Sequence, residues 1–476
     1  MCGISGIFGV DDAQNLVALT LFAMQHRGQE SCGLSVRKND GNVVTYKNMG
    51  LVKSVMTPNI LESYCGDISI GHVRYPTAGR SNIINSQPHS IELAEGAHIS
   101  VCSNGDIINY SYYREKLEKE HGFTFKSHND GELIGRLVAY HHIYNKMSVE
   151  DAIFETQHSL KGAFSAILIY KDSMYAFRDP HAFRPMVIGR IKDTDGVADY
   201  ENSSRGTVIA SETCSFGIIG AEFVREVYPG EIIKLEKSSP LTTVKKSPGK
   251  KQYCVFEHIY FSRPDSYSNG ELIYDIRKKI GRVLALKDSE LGKGSDFVVT
   301  PVPDSSNFMA LGYAEKRGIP FDMGLLRNHY VGRTFTRPDQ KKRDEGVKQK
   351  FNPLPDYFNG KKVVLVDDSI VRGTTMRKIV HMIKDAGAAE VHVRIGSPKV
   401  VGPCFYGIDT PTRDELIANR KNLQEICSFF GAASLKYLEV TDFEQIFSEP
   451  GNFCKACFDN SYIYSPDDFV KTNFPD

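Results

Sequence analysis

The chain has 476 residues, 41% hydrophobic and 24% charged, long for one core and comfortable for two or three domains of a soluble enzyme. Its 58 basic and 58 acidic side chains cancel, so no global field draws it to nucleic acid or an anionic membrane, and any phosphate affinity must be local. No run approaches the roughly 18 apolar residues of a membrane span. The start, MCGISGIFGVDD, lacks the basic head and apolar stretch of a secretory signal, so a cytoplasmic protein is expected, with an organellar one left open. In that reducing setting the ten cysteines point to catalysis, metal binding or core positions rather than disulfides.

Cys2 follows the initiator Met. Removal of that Met would give one residue a thiol nucleophile and an α-amine of pKa near about 8, a usable base at neutral pH. Cys32, Cys65 and Cys102 carry no such context and are expected in the core. A helix is predicted after Asp130, where Leu133, Ile134, Leu137 and Val138 recur at helical spacing. Short strands are predicted at 167–170, 208–210 and 231–235. Glu236–Lys251 is rich in Ser, Thr, Pro and Lys and reads as a surface connection. It divides the chain into domains 2–235 and 252–476.

The second part alternates strands and helices. Thr300–Ala314 ends a strand with a Pro/Asp/Ser turn and enters an apolar helix. Arg333–Lys350 holds seven Lys/Arg against three Asp/Glu, a solvated basic loop on charge alone. A buried strand then brings Asp367 and Asp368 to its end, followed by Ser369, Arg372, Gly373, Thr374 and Thr375 and a helix with Met376, Ile379, Val380 and Ile383 on one face. Gly387 is the expected C-cap, and EVHVRIG the next strand, which makes a βαβ unit in a parallel sheet. Backbone N–H groups, hydroxyls and a helix start form a phosphate cradle. Paired carboxylates beside it suit ribose hydroxyls and Mg²⁺. Cys454 and Cys457 form a CxxC which, without a partner pair, is open between metal, redox and no role. Cys214 and Cys427 read as core.

These motifs resemble a known family over nearly the whole chain. VVLVDDSIVRGTT, Val363–Thr375, resembles the signature by which type I phosphoribosyltransferases bind phosphoribosylpyrophosphate (PRPP). CGISGIFG, MQHRGQESCG, GHVRYPTAG, NSQP, SNGDIIN and NDGE, in this order, resemble the glutaminase domain of class II amidotransferases. Together they point to the glutamine PRPP amidotransferases, in the branch that carries an iron–sulfur cluster. The resemblance implies an N-terminal nucleophile αββα sandwich followed by a type I phosphoribosyltransferase domain.

It also implies roles. Cys2 would be the nucleophile, Asn104 and the Gly105 N–H the oxyanion hole, and Arg74 and Asp130 the holders of the glutamine α-carboxylate and α-ammonium. Arg27 is placed with the glutamine-binding residues, ordering the Cys2 surroundings. Asp367, Asp368, Ser369, Arg372, Gly373, Thr374 and Thr375 would bind PRPP, with Tyr330, Arg333 and Lys350 closing over its pyrophosphate and Ser305 near the Mg²⁺ that Asp367 and Asp368 hold. Cys254, Cys404, Cys454 and Cys457 would bind a [4Fe–4S] cluster. Thiolate softness alone suits zinc equally, and the resemblance favours iron–sulfur. Feedback by AMP and GMP and a homotetramer are further expectations. Ser103, Ser306 and Arg327 depart from the family pattern, which commonly has His, Gly and Lys there. The rivals are another class II amidotransferase, which the 363–375 loop does not fit, and a catalytically inactive PRPP or nucleotide sensor, against which Cys2, Arg74, Asn104 and Asp130 stand.

Overall fold

The structure is a computed structural model that describes residues 1–75, 81–93, 97–192, 204–237, 239–292, 294, 296–330 and 349–464. The first domain holds thirteen strands among the described residues. They are β1 (Gly3–Phe8), β2 (Ser31–Arg37), β3 (Val43–Met49), β4 (Ile68–Arg74), β5 (His89–Glu92), β6 (His98–Ile107), β7 (Gly162–Tyr170), β8 (Ser173–Arg178), β9 (Val187–Lys192), β10 (Ser204–Ala210), β11 (Ala221–Glu226), β12 (Glu231–Glu236) and β13 (Ser239–Lys246). They form two antiparallel sheets, in the orders β11-β9-β10-β1-β4-β2-β3 and β13-β12-β8-β7-β6-β5.

The layers follow from which side chains each face buries. Ile4, Ile70, Cys102, Ile167, Met174 and Ile188 pack between the sheets. The helix Ala13–Ala23 covers the outer face of the first sheet through Val17 and Leu21. The helices Asp130–Ile143 and Val149–Ser159 cover the second through Leu133, Ile134, Leu137 and Ile153. This is the expected four-layer sandwich.

Two expectations need correction here. Residues 239–246 are no connection: they are β13, paired antiparallel to β12, so the first domain runs past residue 235. An edge strand rich in Lys and Thr keeps other edges from pairing with it, and that composition reads as loop. Cys65 is exposed rather than in the core, whereas Cys32 and Cys102 are buried as expected.

In the second domain β14 (Tyr253–Cys254) is followed by the hairpin β15 (Tyr267–Ser268) and β16 (Glu271–Leu272). Then come β17 (Phe297–Pro301), β18 (Leu325–Arg327), β19 (Phe351–Pro353), β20 (Lys362–Asp367), β21 (Glu390–Ile395), β22 (Ser434–Tyr437) and β23 (Phe453–Cys454). β17-β20-β21-β22 make a parallel sheet. The helix Thr374–Asp385 buries Met376, Ile379, Val380 and Ile383 against it, and the helices Ile273–Leu286 and Asn307–Arg317 pack through Ile280 and Met309 in the core that includes Val364 and Val366. Gly387, at φ +99°, ends the helix and donates to the Lys384 carbonyl at 2.9 Å. Among the described residues no helix is long and apolar enough to cross a membrane.

Candidate active sites

Cys2 directly precedes β1, which pairs with β4 in the first sheet, and meets β6 of the second at Asn104. Its backbone N donates to Asn104 Oδ1 at 3.0 Å, and its thiol lies 3.7 Å from the Tyr75 carbonyl. The same Asn104 has its Nδ2 buried without a hydrogen-bond partner. A buried amide donor left unpaired is costly unless a ligand completes it. Cys2, Arg74, Tyr75, Gln87, Ser103, Gly105, Asn129 and Asp130 line one cavity. Arg74 Nη1 donates to Glu30 at 2.5 Å. Asp130 opens its helix, capped by Asn129, and accepts from Ile107 N at 2.8 Å. The pocket therefore offers a thiol, a guanidinium and a carboxylate, and the unspent donor of Asn104 lies in the chain between two of its lining residues, Ser103 and Gly105, a set that suits an α-amino acid with a side-chain amide.

Arg27, expected with the glutamine-binding residues, is not among those lining this cavity. It is fully buried and donates through Nε to the Cys2 carbonyl at 2.9 Å, while its other nitrogens are held by Glu212 and Glu257. Burial would lower its pKa, but the two carboxylates push it above its usual value. It fixes the backbone of Cys2 from behind.

The second site stands at the C-terminal end of the parallel sheet, where such sheets bind ligands. Asp367 ends β20 and Asp368 follows. Ser305 donates to Asp368 at 2.6 Å, Ser306 to Asp367 at 3.1 Å and Ser369 to Asp368 at 2.5 Å. Ser306, where the family commonly has Gly, thus joins the carboxylate pair. Burial, then the neighbouring Asp368, pushes Asp367 well above the usual carboxylate range, and burial also raises Asp368. Two adjacent buried carboxylates call for a cation. Gly373, at φ +76° and with no room for a Cβ against Ile417, turns the chain into the helix that Thr374 opens. Arg372 is half exposed and donates to Glu415 at 2.7 Å.

Of the remaining residues expected at PRPP, Tyr330 and Lys350 are described. β18 and β19, which flank the basic segment in sequence, form an antiparallel ribbon, with Asn328 N donating to the Lys350 carbonyl at 2.9 Å. Tyr330 is fully exposed, the Lys350 ammonium stands 5.0 Å over the Phe351 ring, and Arg333 lies outside the described residues. Arg327, in place of the family's Lys, donates to Asp304 at 2.5 Å.

A third constellation joins residues far apart in sequence. β14 pairs with β23 in parallel, setting Cys254 opposite Cys454, and Val401 N and Gly402 N donate to the Cys457 carbonyl at 2.9 and 3.1 Å. Cys254, Cys404, Cys454 and Cys457 line one cavity with Arg184 of the first domain. Burial first, then the other thiols, raises the pKa of Cys454 and Cys457, and burial with Cys254 raises Cys404. Such crowded thiols ionise together only beside a compensating cation. Among the described residues no three His, Cys, Asp or Glu are set to hold a single ion. Four thiols lining one cavity are a soft donor set of the kind thiophilic metals take.

The sequence missed the residues joining the sites. Gly407, at φ +100° beside Cys404, brings its backbone so close to β6 that a Cβ there would lie 3.2 Å from the Gly105 carbonyl carbon. Phe183 and Tyr406 stack beside it with ring centroids 4.3 Å apart.

Comparison with known proteins agrees with both halves. Residues 81–198 match a glutamine amidotransferase domain and residues 276–395 a phosphoribosyl transferase domain. The chain is 42% identical to the chloroplastic amidophosphoribosyltransferase of Glycine max over 98% of its own length and 79% of that protein's. It is 41% identical to the amidophosphoribosyltransferase of Methanothermobacter thermautotrophicus, over 97% of this chain and 94% of that one. Among solved structures, the B. subtilis glutamine PRPP amidotransferase complexed with ADP and GMP aligns with TM-score 0.85 and 36% identity, over 97% of each chain. Similarity of this degree over nearly the whole chain, with a glutamine amidotransferase domain and a phosphoribosyl transferase domain in one polypeptide, places the protein in the amidophosphoribosyltransferase family, whose members catalyse the first step of purine synthesis.

Proposed function

We propose that glutamine is hydrolysed at Cys2 and that the ammonia is delivered to PRPP at the Asp367–Asp368 turn, giving 5-phosphoribosylamine, glutamate and pyrophosphate. Once Met1 is removed, the Cys2 α-amine, held by Asn104 Oδ1, takes the thiol proton. The thiolate attacks the amide carbon, and the developing oxyanion takes hydrogen bonds from Asn104 Nδ2 and Gly105 N–H. The amine returns a proton to the departing ammonia, leaving a γ-glutamyl thioester that water cleaves to glutamate. Arg74 and Asp130 hold the α-carboxylate and α-ammonium. The observation that carries this reading is Asn104, one amide oxygen on the Cys2 N and one amide nitrogen buried without a partner.

At the second site Asp367 and Asp368 hold the ribose hydroxyls, and Ser369 to Thr375 bind the 5-phosphate at the helix start. Ammonia attacks carbon 1 of the sugar and pyrophosphate leaves. Tyr330, Arg333 and Lys350 close over the pyrophosphate and exclude water. Mg²⁺, for which Asp367, Asp368 and Ser305 are the fitting donors, supplies charge neutralisation of the pyrophosphate when bound. Cys254, Cys404, Cys454 and Cys457 suit a [4Fe–4S] cluster with a structural or oxygen-sensing role.

The B. subtilis relative was solved with ADP and GMP, which supports purine nucleotides, AMP and GMP included, as feedback ligands here. The family resemblance supports a homotetramer, and the reduced thiols suit the cytoplasm or an organelle of similar redox state. Glutamate release by purified protein with and without PRPP, followed beside phosphoribosylamine formation, tests the function. Glutamate release without any PRPP-dependent product would overturn it.

A further inference from the structure

The NSQP motif, Asn85–Pro88, lies in sequence between Arg74 and Asn104, and its Gln87 is one of the residues lining the Cys2 cavity. β5 pairs with β6 in a register that sets His89 opposite Val101, and β5 ends there. Continuing that register two residues brings Gln87 opposite Ser103, the residue before Asn104. No strand backbone continues the ladder at that point. Instead the Gln87 side chain does so, its Oε1 accepting from Ser103 N at 2.7 Å and its Nε2 donating to Ser103 O at 3.2 Å. On the other edge β7 pairs with the same stretch, Asn104 opposite Ser165 and Gly105 opposite Phe164.

We propose that Gln87 is a positioning residue for the oxyanion hole, its side-chain amide standing in for the missing strand at the edge of β6. The inference rests on the reading that Asn104 and Gly105 form that hole. Without Gln87, Ser103 N and O would be buried and unpaired on one edge, free to twist the peptide that leads to Asn104. Gln87 is itself held. Only 3% of it is exposed, and the Lys47 ammonium donates to the carbonyls on either side, Ser86 at 2.6 Å and Pro88 at 3.3 Å. Asn85 Oδ1 accepts from His128 N at 2.9 Å. A Cβ on Gly131 would lie 2.5 Å from Gln87 Oε1, so the first turn of the Asp130 helix closes against the same amide. The motif thus locks the segment that carries Asp130 to the strand that carries Asn104.

The test compares Gln87→Leu, Gln87→Glu and Asn104→Ala in the full chain, with ammonia-dependent synthesis as the check on folding. Removing one oxyanion donor costs about 10²–10³ in kcat, so misaligning the hole through Gln87→Leu is expected to cost about 10–100-fold. The glutamine KM should change little, and alkylation of Cys2 by iodoacetamide, a displacement that builds no oxyanion, should keep its rate. Gln87→Glu keeps the shape, and its carboxyl can donate to Ser103 O only when protonated. Its glutaminase activity relative to wild type at the same pH should therefore rise as pH falls, a response that loss of packing would not give, and this variant carries the test if Gln87→Leu does not fold. Unchanged kcat, or a raised KM with kcat preserved, would overturn the positioning role, as would a flat relative pH profile. Full activity in Asn104→Ala would instead overturn the reading of the hole, whatever Gln87 does.

Discussion

Glu257 of the second domain holds Arg27 of the first by two hydrogen bonds, of 2.8 and 3.1 Å, and Arg27 in turn holds the carbonyl of Cys2. The pair is buried, and Glu257 also faces Arg184 at 3.5 Å, which lines the four-cysteine cavity. The nucleophile is therefore braced from the far side of the domain interface. Glu257 lies in one π-helical turn, Glu257–Phe261, whose ends are fastened by Arg277 through the carbonyls of His258 at 3.0 Å and Ser262 at 2.7 Å. Burial lowers the pKa of Arg277 to about 10, and the charge of Asp368 works against that fall.

Glu257→Gln should expose that arrangement. Removing one member of a buried ion pair costs on the order of 3–5 kcal/mol, because the partner charge stays buried. Glu212 remains on Arg27, so the loss should fall at the lower end. The denaturation midpoint should drop, and glutamine-dependent activity should fall more than ammonia-dependent activity. An equal fall in both would reduce Glu257 to a packing role.

Cys2→Ser should abolish glutamine-dependent synthesis and leave synthesis from high ammonia, because Cys2 serves the first domain alone. Paired assays on the folded variant decide it. Loss of both activities would remove the two-site reading.

Asp367→Asn and Asp368→Asn should give the opposite pattern, with basal glutamine hydrolysis kept and its stimulation by PRPP lost. The wild-type pair also makes a pH prediction. Both folded pKa values are raised above the ordinary carboxylate value, so across that window the native state binds more protons than the unfolded chain. Stability contributed at this site is therefore present at low pH and lost as pH rises through the raised values. Mg²⁺ with PRPP should reverse this, stabilising more at pH 8 than at pH 5 and releasing protons on binding. Calorimetry in buffers of different ionisation enthalpy would detect them. Binding without proton release would separate the pair from the metal.

Replacing Cys254, Cys404, Cys454 or Cys457 by Ser should lower solubility and stability first, with activity falling as a consequence. These thiols tie residues 254 and 454 into one cavity, closing a loop of two hundred residues. Protein purified without air should be brown and carry about four irons per chain, and it should bleach in air. Colourless protein with stoichiometric zinc would replace the cluster.

The sequence by itself marked where two candidate sites lie. Cys2, Asn104 and Asp130, and the run from Asp367 to Thr375, stand in short local motifs, and it is the resemblance of those motifs to a family that suggests their roles. The helix faces at 133–138 and 376–383 were legible because their periodicity records which side chains meet the core. Only the tertiary structure decided what braces those sites. Glu257 on Arg27, Gly407 against Gly105, Arg184 beside four cysteines and Gln87 beside Ser103 are contacts made by packing, and nothing in the local pattern of either partner specifies the other. It also turned residues 239–246 from an expected connection into β13, because an edge strand needs hydrogen-bonding backbone more than apolar side chains. Chemistry is carried by residue types at short range, whereas the support that holds it in register comes from tertiary packing, both within the first domain and between the two domains.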